Sequence, residues 1–361
     1  MRKLLPLFLV LITVNSFAQA PAGYYSTATG LSSVPLKAAL HNVIKNHTSI
    51  SYAQIWTAYQ STDAKPDGKV WDIYSDIPNG TPPYEFTFGT NQCGNYTVES
   101  DCYNREHSWP KSYFNSVTPM YTDLFHIYPT DGYVNNKRDN YPYGLVDTTG
   151  TFWQSENGSR LGPNRFPGYT GVVFEPIDAY KGDLARTYFY MATRYYTEDA
   201  GWQNWAMSNG ANLTPWAVAM LLEWSHTDTV SLKEMNRNNA IYAIQHNRNP
   251  FIDHPEYIDC IWSATGCDIP LPLAVNGTPE IESIKVFPNP ATEKILINDN
   301  NIANKAIEID IINPQGRIIY HRNRTINAGI FEIPVSQYPR GLYWIKVSTE
   351  SGINVSKIVL Q

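Results

Sequence analysis

The chain has 361 residues, with 27 Lys or Arg against 33 Asp or Glu and a formal net charge of −6. That length suits one sizeable domain and a smaller companion. Residues 21–270 carry 16 basic against 25 acidic side chains, a net of −9, while the remainder from 271 carries 9 against 8. A protein that coats nucleic acid through phosphate contacts would be basic, so that class is disfavoured, whereas an enzyme needs only a local positive patch.

The N-terminus reads as a signal peptide over residues 1–20. Arg2 and Lys3 supply its positive end, Leu4 to Val14 its apolar core, and Ser16, Ala18 and Ala20 the small residues of a cleavage site. The apolar run is too short to span a bilayer, and no later stretch approaches that length.

Next, PLKAALHNVIKNH places Leu36, Leu40 and Ile44 on one helical face, and a second short helix is expected over 51–60. KVWDIYSD and YEFTF read as short strands separated by the turn-rich IPNGTPP. The polar, aromatic segment 101–145 lacks clean periodicity, as expected of loops and short elements organised around a site. DLARTYFYMATRYY (183–196) reads as a buried helix. LTPWAVAMLLEWSHTD follows as a helix with Thr214 as cap and Pro215 in its first turn. Ser231 with Glu234 three residues on opens a further helix as a capping box.

A proline-rich stretch without periodicity separates this region, 21–270, from the tail, with a linker at 271–281. Residues 282–361 are runs of alternating apolar residues joined by turns, which predicts a small C-terminal β-sandwich. The fold class expected for the whole is α+β.

Four cysteines, Cys93, Cys102, Cys260 and Cys267, lie in the exported part. An even number outside the cytoplasm suggests two disulfides. Spacing favours the local pairs 93–102 and 260–267, although spacing alone leaves three connectivities open. A structural zinc site would need close CxxC pairs, which are missing.

The chemistry concentrates in DCYNREHSWPKSYF (101–114) and DLFHIYPTDGYVNNKRDNYPYG (123–144). Imidazole is the side chain suited to activating water near neutral pH. Carboxylate and amide oxygens suit Mg2+ or Ca2+. Glu106 and His107 are adjacent, so a regular strand would point them to opposite faces; a bulge, a turn or a site wrapped around the strand edge is required if both are to serve one centre.

NREHSWPKS, then DLFHIYPTDGYVNNKRDNYPYG, then KGDLARTYFYM, in that order, resemble the endonuclease I family over roughly residues 30–262. The resemblance implies a ββα-metal (His-Me finger) nuclease, acting on DNA, with RNA a second substrate, and leaving 5′-phosphate ends with little sequence preference. It implies His107 as general base, and Glu106 and Asn135 as ligands of Mg2+, with Mn2+ or Ca2+ as alternatives. Asp123 and Arg138 match motif positions that orient the site or contact phosphate. Asn140 and His126 match the substrate side; the family's periplasmic members carry a different pair at Phe125–His126, so His126 reads more readily as structural. Arg186 matches a position suited to packing or an inward ion pair.

VFPNPATEKILI, IINPQGRIIY, YPRGLYWIKV and the terminal SKIVLQ resemble the C-terminal sorting domain of type IX secretion. That resemblance implies a secreted or outer-surface protein that engages the type IX machinery, with no stable protein partner otherwise expected. With 25 Tyr and 10 Trp, an extracellular carbohydrate-binding or adhesion protein is the alternative.

Overall fold

Leu36, Leu40 and Ile44 do form one face of a helix, α1 (Ser33–Ile44), and all three are fully buried. The computed structural model describes residues 20–263, 285–298, 305–313, 318–326, 330–349 and 352–361. The expected signal peptide (apart from Ala20), the linker and Cys267 lie outside the described residues. The chain divides into two compact units, Met1–Leu271 and Pro272–Gln361. No helix among the described residues is long and apolar enough to cross a membrane.

In the first unit α2 (Ile55–Thr62) is followed by β1 (Tyr103–His107), β2 (Ile127–Asp131) and α3 (Gly132–Arg138). An antiparallel sheet of β3 (Trp153–Gln154), β4 (Arg160–Pro163) and β5 (Val172–Glu175) precedes α4 (Lys181–Arg194). A small ribbon, β6 (Ser208–Asn209) and β7 (Asn212–Leu213), leads into α5 (Pro215–Thr227), α6 (Leu232–Gln245), α7 (Pro250–Asp253) and α8 (Tyr257–Trp262). Every residue of α4 is buried, and α1, α5 and α7 pack around it. Its charged residues are all paired, as burial demands. Arg186 forks onto Glu234 of α6 (Nη2–Oε2 2.8 Å), and Asp183 accepts from Lys233 (2.9 Å).

Ser231 and Glu234 form the expected capping box. Thr214 stands at the N-cap of α5 with Pro215 at the first position, but its hydroxyl donates to the Ala206 carbonyl (3.0 Å) and does not cap the helix. The strands expected in KVWDIYSD and YEFTF are absent; only the isolated bridges Ala64–Val70 and Lys69–Thr87 occur there. Local side-chain bonds displace the ladder. Asp72 accepts from the Tyr74 amide (2.7 Å), and Asn91 accepts from the Thr87 amide (2.9 Å). Adjacent Ile73 and Tyr74 are both fully buried, which a one-faced strand does not allow. Trp109, Trp224, Tyr59, Tyr74, Tyr188 and Tyr190 are fully buried as well. Much of the aromatic content therefore fills the core, which removes the support for a sugar-binding surface.

The second unit is all-β: β8 (Lys285–Phe287), β9 (Lys294–Asn298), β10 (Lys305–Ile312), β11 (Ile318–Ile326), β12 (Ile330–Pro334), β13 (Gly341–Thr349) and β14 (Gly352–Leu360). One sheet runs β11-β10-β13-β14 and the other β12-β9-β8, with every strand pairing antiparallel. Alternate residues, Ile295 and Ile297, Ile309 and Ile311, Ile345 and Val347, share one buried core.

Glu234 serves both its cap and Arg186 while almost wholly buried. Glu234→Ala removes the carboxylate that a buried guanidinium grips with two donors, leaving it Asp183 at 3.7 Å and the Asp228 carbonyl, and urea unfolding is expected to show a loss of about 3 kcal/mol. Glu234→Gln keeps an oxygen for the cap and should cost less; equal losses would contradict this division of roles.

Candidate active site

β1 and β2 pair antiparallel, with Glu106 opposite Tyr128 and His107 opposite Ile127. The turn from β2 into α3 is pinned by two buried carboxylates. Asp131 caps α3, accepting from Val134 (2.9 Å) and from the Ser100 amide (2.8 Å), while Asp72 accepts from the Asp131 amide (2.7 Å). Burial pushes the Asp72 carboxyl up to about 8, and the neighbouring Asp131 charge adds to the rise. Asp139, at φ 47°, ends α3 and turns the chain toward Asn140.

A cleft of about 350 Å3 opens over this unit, with Glu106, His107, Asn135, Arg138 and Asn140 in its lining. The Cys93–Cys102 disulfide closes the loop that forms one wall. Tyr96 of that loop lies over Gly132, where a Cβ would come within 2.6 Å of the ring; only glycine permits this approach.

No bulge interrupts β1, yet Glu106 and His107 both reach the cleft. The strand belongs to a two-stranded sheet and has only a single bridge, Gln92–Tyr103, on its other edge. Side chains from both faces therefore converge on the open edge. Toward α3, Glu106 Oε1 accepts from Arg138 Nη1 (2.8 Å) and Tyr74 (3.1 Å), and no described hydrogen bond reaches Oε2. Burial outweighs the Arg138 charge and raises the Glu106 carboxyl to about 7. Asn135 Nδ2 donates to Asn104 Oδ1 (2.7 Å), which leaves the Asn135 carbonyl oxygen uncommitted. Glu106 Oε2 and Asn135 Oδ1 are hard oxygen donors of the kind that Mg2+ or Ca2+ takes.

On the other face, His107 stacks on Tyr121 (centroids 5.2 Å apart, planes at 11°). Its Nε2 lies 3.1 Å from the Tyr121 carbonyl. A carbonyl only accepts, so Nε2 carries the hydrogen and Nδ1 is left as the basic nitrogen. Burial, reinforced by nearby His126, holds the imidazole well below its ordinary value; the ring is neutral.

The other expected site residues differ in what they can reach. Arg138 is fully buried, with Nη1 also donating to the His107 carbonyl (3.1 Å) and Nη2 to that of Ser108 (2.5 Å). It orients β1 and has no free face for a phosphate. Asp123 is fully buried behind the site, accepting from the Phe125 amide, Gln245, Tyr190 and Tyr195 at 2.8–3.1 Å. Of the two roles expected for Asp123, orienting the site or contacting phosphate, this enclosure suits the first: an anion with these donors anchors the segment before β2. His126 is likewise enclosed, with Nε2 2.7 Å from the Met120 carbonyl, a placement that suits the structural reading. Asn140 is exposed at the rim, where Ser112 donates to it (3.3 Å). His226, His246 and His254 pair with Asp259, Thr48 and Glu256.

The sequence reading missed Asn104, Arg105, Tyr52, Tyr74 and Tyr121. Asn104 had a signal: two residues before Glu106, it shares that strand face. In the second unit Glu308, Asp310 and His321 also lie close together. There Asp310 is already hydrogen-bonded to His321 (2.7 Å) and faces Lys346 (3.5 Å), whose ammonium offsets its charge.

Burial pushes His126 down to about 4, against the opposing Asp123 charge. A histidine depressed in the folded state stabilises fully above its ordinary value of 6.5 and loses that contribution as pH falls toward 4. Through this group unfolding free energy should fall by up to ~3 kcal/mol across that window. His126→Asn retains a donor for Met120 and does not titrate, so its urea-unfolding profile should be flatter; parallel profiles would contradict the assignment.

Residues 32–256 match the sequence profile described as Endonuclease I, and residues 285–361 match that of a secretion system C-terminal sorting domain. The chain is 38% identical to an extracellular ribonuclease of Bacillus amyloliquefaciens over 250 residues, 66% of this chain and 78% of that protein. It is 36% identical to an extracellular ribonuclease of Bacillus subtilis (strain 168) over 249 residues, with the same coverage of each. An Endonuclease-1 of Buchnera aphidicola subsp. Baizongia pistaciae is 27% identical over 131 residues, 36% of this chain and 46% of that one. With β1, β2 and α3 carrying the cleft, and with a sorting domain at the C-terminus, the chain belongs to the Endonuclease I family and is a secreted or cell-surface nuclease.

Proposed function

We propose that the protein is a divalent-metal-dependent endonuclease that cleaves DNA and RNA with little sequence preference and leaves 5′-phosphate ends. The observation that carries this reading is the convergence of His107, Glu106 and Asn135 on one cleft, with the His107 ring neutral and Nε2 committed to Tyr121. RNA stands beside DNA because two relatives are ribonucleases by name.

On this reading β1, β2 and α3 form a ββα-metal site. Glu106 and Asn135 would hold Mg2+, with Mn2+ or Ca2+ as alternatives. The cation, when bound, supplies electrostatic stabilisation of the charge that grows on the phosphate and the leaving oxygen. His107 Nδ1 takes a proton from water, and that water attacks phosphorus opposite the departing 3′ oxygen. Tyr121, hydrogen-bonded and stacked on the ring, keeps Nδ1 aimed at the cleft. Arg138 and Tyr74 hold Glu106, and Asn140 meets the substrate at the rim.

His107→Ala is expected to fold and to lose at least about a hundredfold in plasmid cleavage with Mg2+. Chelator should abolish wild-type cleavage, and Glu106→Ala and Asn135→Ala should weaken Mg2+ or Mn2+ binding by calorimetry. Chelator-resistant cleavage, or near-wild-type activity in the His107 variant, would sink the reading.

We also propose that residues 21–270 are the catalytic domain, 271–281 a linker, and 282–361 a module recognised by the type IX machinery. The supporting observation is the sorting-domain match on a unit with its own buried core. Truncation after about residue 275 should leave purified cleavage intact, because a separate core makes a separable domain. In the native bacterium the truncated enzyme should stay in the periplasm. Fractionation that finds both forms equally in the medium would contradict this.

A further inference from the structure

Among the described residues three cations line the cleft, Arg105, Lys111 and Arg138, and they differ in what they have left to give. Arg138 spends its Nη donors on Glu106 and three other protein oxygens. Lys111 is exposed, with its ammonium 5.9 Å from the Tyr121 ring. Arg105 is half-buried on β1, and no ion pair among the described residues involves it. Its guanidinium carbon lies 3.6 Å from the Tyr52 ring centroid and 4.4 Å from that of Trp56. Nη1 donates to the Tyr52 carbonyl (2.8 Å), Nε is buried without a partner, and no described hydrogen bond leaves Nη2. In a unit rich in carboxylates, a rigidly held cation without an acidic partner is a charge kept available for an anion.

Its placement identifies that anion. Arg105 and His107 lie two residues apart on the same face of β1, roughly 6.5–7 Å along the strand. Both contact Tyr52, which stacks on His107 at 6.0 Å between centroids. Consecutive phosphates along one nucleic-acid strand are spaced by a comparable distance. Resting on the nuclease reading of this cleft, we propose that Arg105 grips the backbone phosphate one nucleotide from the scissile bond, with Tyr52 and Trp56 fixing the plane of its guanidinium. Substrate phosphorus at His107 and the neighbouring phosphate at Arg105 then define the direction in which a strand crosses β1. Because phosphates carry no base identity, the contact strengthens binding alike for all sequences and for both sugars.

Full-length mature enzyme, Arg105→Gln and Arg105→Lys are compared in Mg2+ on a single-stranded oligonucleotide across a series of NaCl concentrations. Arg105→Gln should raise KM about tenfold, change kcat less than about threefold, and flatten the salt dependence of kcat/KM by about 0.7 in logarithmic slope, the value of one lost phosphate contact. Arg105→Lys should retain the slope, since it keeps the charge, and show a smaller rise in KM. Equal loss in both variants with the wild-type slope would mean that Arg105 merely props up Tyr52 and Trp56, and would overturn the proposal; so would unchanged KM. Binding of the same oligonucleotide is also measured by anisotropy in the His107→Ala background, with and without Arg105→Gln. If wild type cleaves nothing but Arg105→Gln still flattens the salt slope of binding, the nuclease reading falls and the phosphate contact stands. If cleavage is normal and the binding slope is unchanged, the reverse holds.

Discussion

The Glu106–Arg138 ion pair is the constraint on which the rest of the site depends. Both side chains are nearly inaccessible, and each alone would be a buried charge costing several kcal/mol. Arg138 also binds the carbonyls of His107 and Ser108 and lies 4.6 Å over the Tyr143 ring. Tyr143 and Tyr74 share a hydrogen bond (2.7 Å), and Tyr74 returns to Glu106. The loop of contacts closes. One residue from the last turn of α3 thus fixes the orientation of Glu106 and the backbone that carries His107, so the spacing between carboxylate and imidazole is set before any ligand arrives.

The same network explains how an acidic chain can present a site for a polyanion. Of the two carboxylates in the cleft lining, Glu106 is paired with Arg138 and Asp139 is exposed to solvent at the end of α3, while Asp131 and Asp72 are held by backbone amides. Asp123 is surrounded by four donors. Long-range field from the negative surface is screened over about 8–10 Å at ordinary ionic strength, so local cations decide the sign of the potential at the edge of β1.

Behind the site, α4 acts as the spine of the first unit. A helix buried on all sides tolerates charges only when they are paired, and Arg186 and Asp183 meet this demand through α6. Asp123 links that core to the segment before β2 through Tyr190 and Tyr195 of the α4 region. Rigidity of the core is thereby transmitted to the backbone around Tyr121, whose carbonyl selects the tautomer of His107.

Local periodicity and end signals made the helices α1, α4, α5 and α6 legible in the sequence, as was the alternating strand pattern of the tail, because burial of one stripe or one face is written in neighbouring residues. The clustering of chemistry in NREHSWP and GYVNNKRDN was legible for the same reason of short range. Tertiary structure alone decided the rest. The strands expected around Ile73 and Phe86 gave way to turns because Asp72 bonds Tyr74 and a residue 59 positions away in the chain. Asp123 and His126 carry suitable chemistry by residue type, yet Gln245, Tyr190 and Tyr195 enclose Asp123, and His126 is buried with its Nε2 on the Met120 carbonyl. Arg105 reads as an ordinary strand cation until Tyr52 and Trp56, about fifty positions earlier, come to lie against it. Residue type determines what chemistry is available, but exposure, orientation and charge partners are properties of long-range packing, and these decide which residues can use it.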